Sequence, residues 1–262
     1  MKNNRIALIG LGWLGMPLAQ ELQSRGYRLT VSSRNEEKLT YIEAQCWIPL
    51  NFNSLSTPKL SENNEGDLKN VQHVIITLPP STFKENASLL KILLEKFDPS
   101  CQVIYTSSTG IYPNENRQYD ESSVIETSSL LGDLEQKIKE RSHYCILRLA
   151  GLIGPNRHPV KFLLKQETRE NGAAVVNLIH QKDVIQAIVS CISQEKNQAI
   201  YNVCYPEHPT RAEYYNEAAK FYFQQEMTFN SGEKGKIILA NKLEKERKFK
   251  YSNKITDFGD LI

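Results

Sequence analysis

One stretch constrains the fold more than any other: IALIGLGWLGMPLAQELQSRG, residues 6–26. Ile6 to Ile9 are continuously apolar and stop at a glycine, which predicts a buried strand. Gly10, Gly12 and Gly15 then fit GxGxxG, and LAQELQSRG continues as a helix ending at Gly26. YRLTVSSR supplies the next strand. Strand, glycine turn, helix, strand is the context in which the pattern predicts a dinucleotide cradle. Gly10 permits the tight turn and Gly12 lets the backbone approach a pyrophosphate. Gly15 lets helix and strand pack closely, Leu14 beside it joins the expected cofactor contacts, and unpaired helix N–H groups face phosphate oxygens. Pro17 falls near the helix start, where a missing N–H costs little. Trp13 has two readings, a shield over the cofactor or packing against a neighbouring loop.

The second strand ends VSSRNEEK. A site selective for NAD usually places Asp or Glu there, to accept hydrogen bonds from the ribose 2′-hydroxyl. Ser32, Ser33 and Arg34 stand there instead, and serine and arginine bind the extra phosphate that an acid would repel. The expected cofactor is NADP, with NAD the alternative. Glu36 and Glu37 are read as the opening of the next helix.

The alternation continues. VQHVIITLPP is a strand running into Pro79 and Pro80, NASLLKILLEKF an amphipathic helix, and CQVIYTSSTGIY a strand with a loop at its end. Such alternation predicts an α/β fold, a Rossmann-type parallel sheet flanked by helices. Ligands in these sheets bind beyond the carboxyl ends of the strands. Leu78, Pro79, Pro80 and Ser107 lie at such ends and join the glycine turn as expected cofactor contacts. The expected boundaries are a nucleotide domain over 1–152 and a smaller, interleaved substrate-side region over 153–262.

Charge and composition exclude several function classes. The 262 residues carry 30 acidic and 32 basic side chains, a formal +2, so no global charge asks for nucleic acid. Five cysteines show no CxxC spacing, and they are expected to be reduced thiols rather than disulfides or zinc ligands. No stretch approaches the roughly 18 apolar residues of a membrane span, and IALIG is too short for a signal-peptide core. The expectation is a cytoplasmic protein with a small-molecule substrate, no metal, no nucleic acid and no membrane partner.

GLGWLG, TLPPS, TSSTGIYP, LRLAGLIGPNR, VNLIHQKDVIQAI and YNVCYPEHPTRAEYY occur in this order. Together they resemble the short-chain dehydrogenase/reductase-like proteins of the NAD(P)-dependent epimerase/dehydratase group, in its atypical branch, over about residues 5–258. The resemblance implies an oxidoreductase or epimerase-like enzyme acting on a hydroxyl or carbonyl carbon. It places Ser108 at the catalytic serine position and Tyr112 at the loop tyrosine. It also implies a Tyr-x-x-x-Lys pair about 25 residues later, and that pair is missing. If Glu135 matches the acid that follows the lysine, Thr127 and Leu131 take the two positions. A threonine hydroxyl lies far above the ~10 of a phenol, so it makes a poor acid/base group. A non-catalytic NADP-binding sensor or scaffold is therefore the alternative. Helices beside the serine loop often form dimer faces in the resembled group, which leaves monomer or homodimer.

In the second half, Arg148 and Arg157 are candidates for an anionic substrate; Arg157, in a Gly-Pro-rich turn, is the better one, and Arg148, between apolar residues, fits an internal ion pair equally. His180 precedes Asp183 at a helix start and is expected to order the substrate-side wall. A lone His-x-x-Asp is no metal site. Thr210 and Glu213 have capping-box spacing. KIILANKLEKERKFKY reads as a strand and short helix with a solvated basic face, with Lys236 and Asn241 the residues that would otherwise reach the cleft.

Overall fold

The computed structural model describes residues 4–33, 35–51, 68, 70–192, 197–259 and 261. Among them the first half alternates as the periodicity requires: β1 Arg5–Ile9, α1 Gly15–Ser24, β2 Arg28–Ser33, α2 Glu36–Ala44 and β3 Ile48–Asn51. β4 His73–Ile76, α3 Ser88–Leu94, β5 Gln102–Ser108 and β6 Gln118–Tyr119 follow. α4 Leu130–Lys139, β7 Tyr144–Leu149, β8 Gly151–Ile153 and α5 Val160–Leu164 come next. The remainder is β9 Leu178–His180, α6 Gln181–Ile192, β10 Gln198–Val203, α7 Arg211–Phe223, β11 Ile237–Ile238 and α8 Asn241–Arg247.

A seven-stranded parallel sheet in the order β10-β7-β5-β4-β1-β2-β3 organises the fold, which is the Rossmann type. The order reverses at β1, so β1 lies between β2 and β4, with Leu8 beside Val31 and Ile9 beside Ile76. Loops leaving β1, β2 and β4 therefore emerge side by side, and a crevice at such a switch point is where ligands enter. Both faces of the central strands are buried, which is why their sequences are unbroken Val/Ile/Leu runs rather than alternating ones. One face carries Ile9, Val74, Ile76, Val103 and Tyr105, covered by Leu90 and Leu93 of α3 and by Leu134 and Ile138 of α4. The spacings of those helical pairs, three and four, put each pair on one helix face.

The described residues fall into two compact units: one from residues 1–107, 127–147 and 188–200, the other from 108–126, 148–187 and 201–262. In the second, β6 pairs in parallel with β11 and β8 with β9. Thr210 and Glu213 form the capping box of α7, each side chain bonded to the other's backbone N–H. Asp183, fully buried in the first turn of α6, accepts from the backbone N–H groups of Ser252 and Asn253 at 3.2 and 3.1 Å. That carboxylate ties the end of the chain to the unit. The basic stretch forms β11 and α8, as its pattern predicts. Among the described residues no helix is long and apolar enough to cross a membrane, and no group of three His, Cys, Asp or Glu side chains converges as a metal site would need.

Candidate dinucleotide cleft and serine loop

The glycine turn leaves β1 with Gly10 at φ +112°, a conformation that L side chains rarely adopt. Two side chains hold it, one in β2 and one just past the end of β4. Ser32 Oγ accepts from Gly10 N–H at 2.9 Å, and Thr77 Oγ1 donates to the Gly10 carbonyl at 2.7 Å. A Cβ on Gly15 would stand 1.9 Å from the Gly10 carbonyl oxygen, so only glycine lets α1 approach its own entry loop. A Cβ on Gly12 would meet nothing within 4 Å. Gly12 is therefore dispensable to packing, and its missing side chain keeps open the space through which a pyrophosphate would pass. The N-cap position of α1, Leu14, offers no side-chain hydrogen bond, which leaves the helix start for an external acceptor.

A cleft of about 340 Å³ opens at this point. Gly10, Gly12, Ser33, Leu78 and Pro79 line it, together with Leu11, Ser32, Asn35, Lys38, Thr77 and Thr82. Trp13, Leu14, Gly15, Pro80 and Ser107 are not among its walls. Gly15 instead packs on Gly10, and the half-buried Trp13 stands beside the turn. Arg34, expected at a 2′-phosphate, lies outside the described residues. Lys38 was not singled out from the sequence: Asn35 caps α2 by accepting from Lys38 N–H at 3.3 Å, and the Lys38 ammonium reaches the Leu11 carbonyl at 3.3 Å. The capping pattern N-E-E-K held the signal, since the third helical residue turns back over the loop before it. None of the described residues lining the cleft is acidic.

At the end of β5 the two serines diverge. Ser107 Oγ donates to the fully buried Glu135 at 2.8 Å, in the same unit as the cleft. Ser108, half-buried, caps the short 3-10 turn Thr109–Ile111 by accepting from Gly110 N–H at 3.0 Å. Its hydroxyl hydrogen stays free to donate. Tyr112 is 2% exposed; its hydroxyl donates to Asn202 Oδ1 and accepts from Arg148 Nη1, both at 2.7 Å. Asn202 is itself fully buried: its amide donates to the Leu239 carbonyl and its backbone N–H to Glu121. Burial raises the Tyr112 phenol above its usual range, and the Arg148 guanidinium pulls it back in part. Lys236, from the far end of the unit's sequence, donates to the carbonyls of Thr109 and Tyr112 at 3.1 and 2.8 Å, and its burial lowers its pKa.

Arg157 sits on an exposed turn, exchanging backbone hydrogen bonds with Gly154 at 3.1 and 2.9 Å. His180 is buried at the end of β9, where Nδ1 accepts from Lys182 N–H at 3.1 Å and so begins α6.

Among known protein families, residues 5–125 match the NAD binding domain of 6-phosphogluconate dehydrogenase. The chain is 32% identical to Protein YeeZ of Escherichia coli strain K12, across 94% of this chain and 95% of that one. Among solved structures it is similar to alfalfa vestitone reductase, at 16% identity with a TM-score of 0.77, covering 98% and 96% of the two chains. A UDP-glucuronic acid 4-epimerase from Bacillus cereus in complex with NAD gives 16% identity and a TM-score of 0.76, covering 98% and 95%. A functionally unknown conserved protein from Silicibacter pomeroyi gives 21% and 0.71, covering 94% and 93%. At these identities the structural likenesses speak for the fold.

Proposed function

The chain belongs to the family of Protein YeeZ, and we propose that it is an NAD(P)-dependent oxidoreductase or epimerase-like enzyme of the atypical short-chain dehydrogenase/reductase kind, with NADP preferred. The observation that carries the cofactor half is the pair of glycines. Gly15 is demanded by packing, whereas Gly12 faces open space and is explained by a ligand. NADP over NAD is supported by a lining of Ser33, Asn35 and Lys38 with no carboxylate among its described members. Arg34 would add a planar guanidinium at the same strand end.

When bound, the nicotinamide would exchange hydride with a hydroxyl or carbonyl carbon. Ser108 would donate its free O–H to the reacting oxygen. Tyr112, with its hydroxyl committed to Asn202 and Arg148, would hold the loop rather than move a proton, and Lys236 would fix the same loop through its two carbonyls. The expected domain arrangement, a nucleotide domain to about residue 152 and a substrate-side region after it, is part of this proposal.

Calorimetric titration of cofactor-free protein with NADPH and then NADH tests it. Micromolar binding with NADPH favoured supports the cradle and the basic rim. A folded sample that binds neither removes the enzyme reading. The enclosure of Tyr112 and the absence of a Tyr-x-x-x-Lys pair favour a second reading, a sensor that binds cofactor without turnover. Stoichiometric oxidation or reduction of bound cofactor by a small molecule separates the two, since a sensor shows none.

A further inference from the structure

We propose that Lys236 is a positioning residue for Ser108, setting the strength of its hydrogen-bond donation through the Thr109–Gly110 peptide. This deepens the proposed function, on which it rests for giving Ser108 a reacting oxygen to meet. No Tyr-x-x-x-Lys pair follows the serine loop, so a cation that acts on the serine has to arrive from elsewhere in the chain. Lys236 and residues 108–112 belong to the same compact unit.

One peptide group joins the two residues. Gly110 N–H donates to Ser108 Oγ at 3.0 Å, and the carbonyl at the other end of that peptide, on Thr109, accepts from Lys236 Nζ at 3.1 Å. The peptide is trans, so its N–H and C=O point in opposite directions along one dipole. Lys236, the Thr109–Gly110 peptide and Ser108 therefore form a continuous chain of donors and acceptors. The Thr109 carbonyl also accepts Tyr112 N–H at 3.3 Å, and Lys236 donates to the Tyr112 carbonyl at 2.8 Å. Those two contacts fix the orientation of the turn. A cation on the carbonyl draws electron density from the peptide nitrogen, which makes the Gly110 N–H a stronger donor. Ser108 Oγ, polarised by that donor, then donates its own hydrogen more strongly.

The backbone that carries the ammonium is itself clamped. Lys236 immediately precedes β11, whose pairing with β6 sets Ile237 against Gln118. The Asn177 side chain donates to the Lys236 carbonyl at 2.9 Å and accepts from Ile238 N–H at 2.9 Å. The chain is thus held on both sides of Ile237, and the ammonium is set on the serine loop. Among the described residues no carboxylate pairs with Lys236, and burial lowers its pKa, the direction for a cation without a counter-charge. A neutral amide could tie the same two carbonyls without the cost of desolvating a cation. What the ammonium adds is charge, and the peptide beside it passes that charge's effect to the one loop hydroxyl with a hydrogen to donate.

The test is carbon-detected NMR of the full chain, in which a single cross-peak joins the Thr109 carbonyl carbon to the Gly110 nitrogen. Lys236→Gln keeps a donor but removes the charge, and it should move this peak upfield in both dimensions. Lys236→Arg keeps the charge and should return the peak most of the way to its native position. Lys236→Met, a second neutral variant, should reproduce Lys236→Gln. Ser108→Ala removes the acceptor and should move the nitrogen about 20% further in the native background than in Lys236→Gln, the size of cooperative strengthening across one bond. A peak that Lys236→Gln and Lys236→Arg leave in the same place would make Lys236 a plain tie and overturn the inference. Additive shifts for Ser108→Ala and Lys236→Gln would overturn it too, since the two residues would then act apart. NADPH titration of the native chain keeps the two proposals distinct. Bound NADPH with additive shifts sinks only this inference, and coupled shifts with no NADPH bound sink only the enzyme reading.

Discussion

The glycine turn at residues 10–15 and the serine loop at residues 108–112 each end a strand of the same sheet, yet they dispose of their polar groups in opposite ways. In the turn, Ser32 and Thr77 fix the backbone at Gly10 and then stop; the helix start beyond it lacks a side-chain cap, and Gly12 borders open space. In the loop, nearly every polar group is consumed. Tyr112 spans Asn202 and Arg148, Lys236 spans two carbonyls, and Ser108 keeps a donor. A site that waits for a ligand leaves donors unpaired at its mouth, whereas a buried network that is satisfied internally rigidifies what surrounds it. Tyr112, which family likeness marks as a candidate for chemistry, belongs by this criterion to the scaffold.

The comparison breaks most visibly at Gly15. Gly15→Ala places a methyl group against the Gly10 carbonyl and should destabilise the protein by about 3 kcal/mol or more, measured by denaturant unfolding. Wild-type stability in that variant would mean that α1 does not need its close approach.

His158 extends the closed-network logic through a buried aromatic cluster. Its Nδ1 accepts from Val160 N–H, its Nε2 bonds Tyr214, and burial lowers its pKa from 6.5 to about 4. The folded state therefore resists a proton that the unfolded state takes up. Stability is intact above pH 6.5 and is lost as pH falls toward 4, by about 3 kcal/mol in all. The pH dependence of unfolding in native protein and in His158→Asn should differ by that slope; parallel curves would remove the assignment.

Tyr112→Phe leaves Arg148 and Asn202 short of a buried partner and should cost about 1–3 kcal/mol. A variant as stable as wild type but without activity would reverse the reading and make the hydroxyl a chemical group. Gly12→Ala sharpens the contrast from the other side. Stability should change by less than about 1 kcal/mol, while NADPH affinity falls about tenfold or more. The smallest effect is expected for Arg34→Ala and Lys38→Ala, each weakening NADPH by about tenfold while NADH binding stays level. Equal losses for both cofactors would count against a 2′-phosphate contact.

Local signals were legible wherever a structure closes within a few residues. The GxGxxG turn, the helix after it, the Thr210–Glu213 capping box and the buried runs of the central strands follow from short-range sterics and periodicity. Lys38 lay within reach of the same local rules, three residues past the asparagine that caps its helix. The Ser107–Glu135 bond was not, because its partners stand 28 residues apart and only packing of α4 brings the acid to the strand end. Lys236 reaches Tyr112 across 124 residues.

What the sequence by itself determined is the order of elements and the place of the cradle, since apolar period, glycine and caps act on neighbouring backbone. Only the tertiary structure decided which polar side chains are spent on the scaffold and which remain for a ligand. Ser108 keeps its donor and Tyr112 does not, because hydrogen-bond satisfaction in a buried site depends on residues that meet only after the chain has folded.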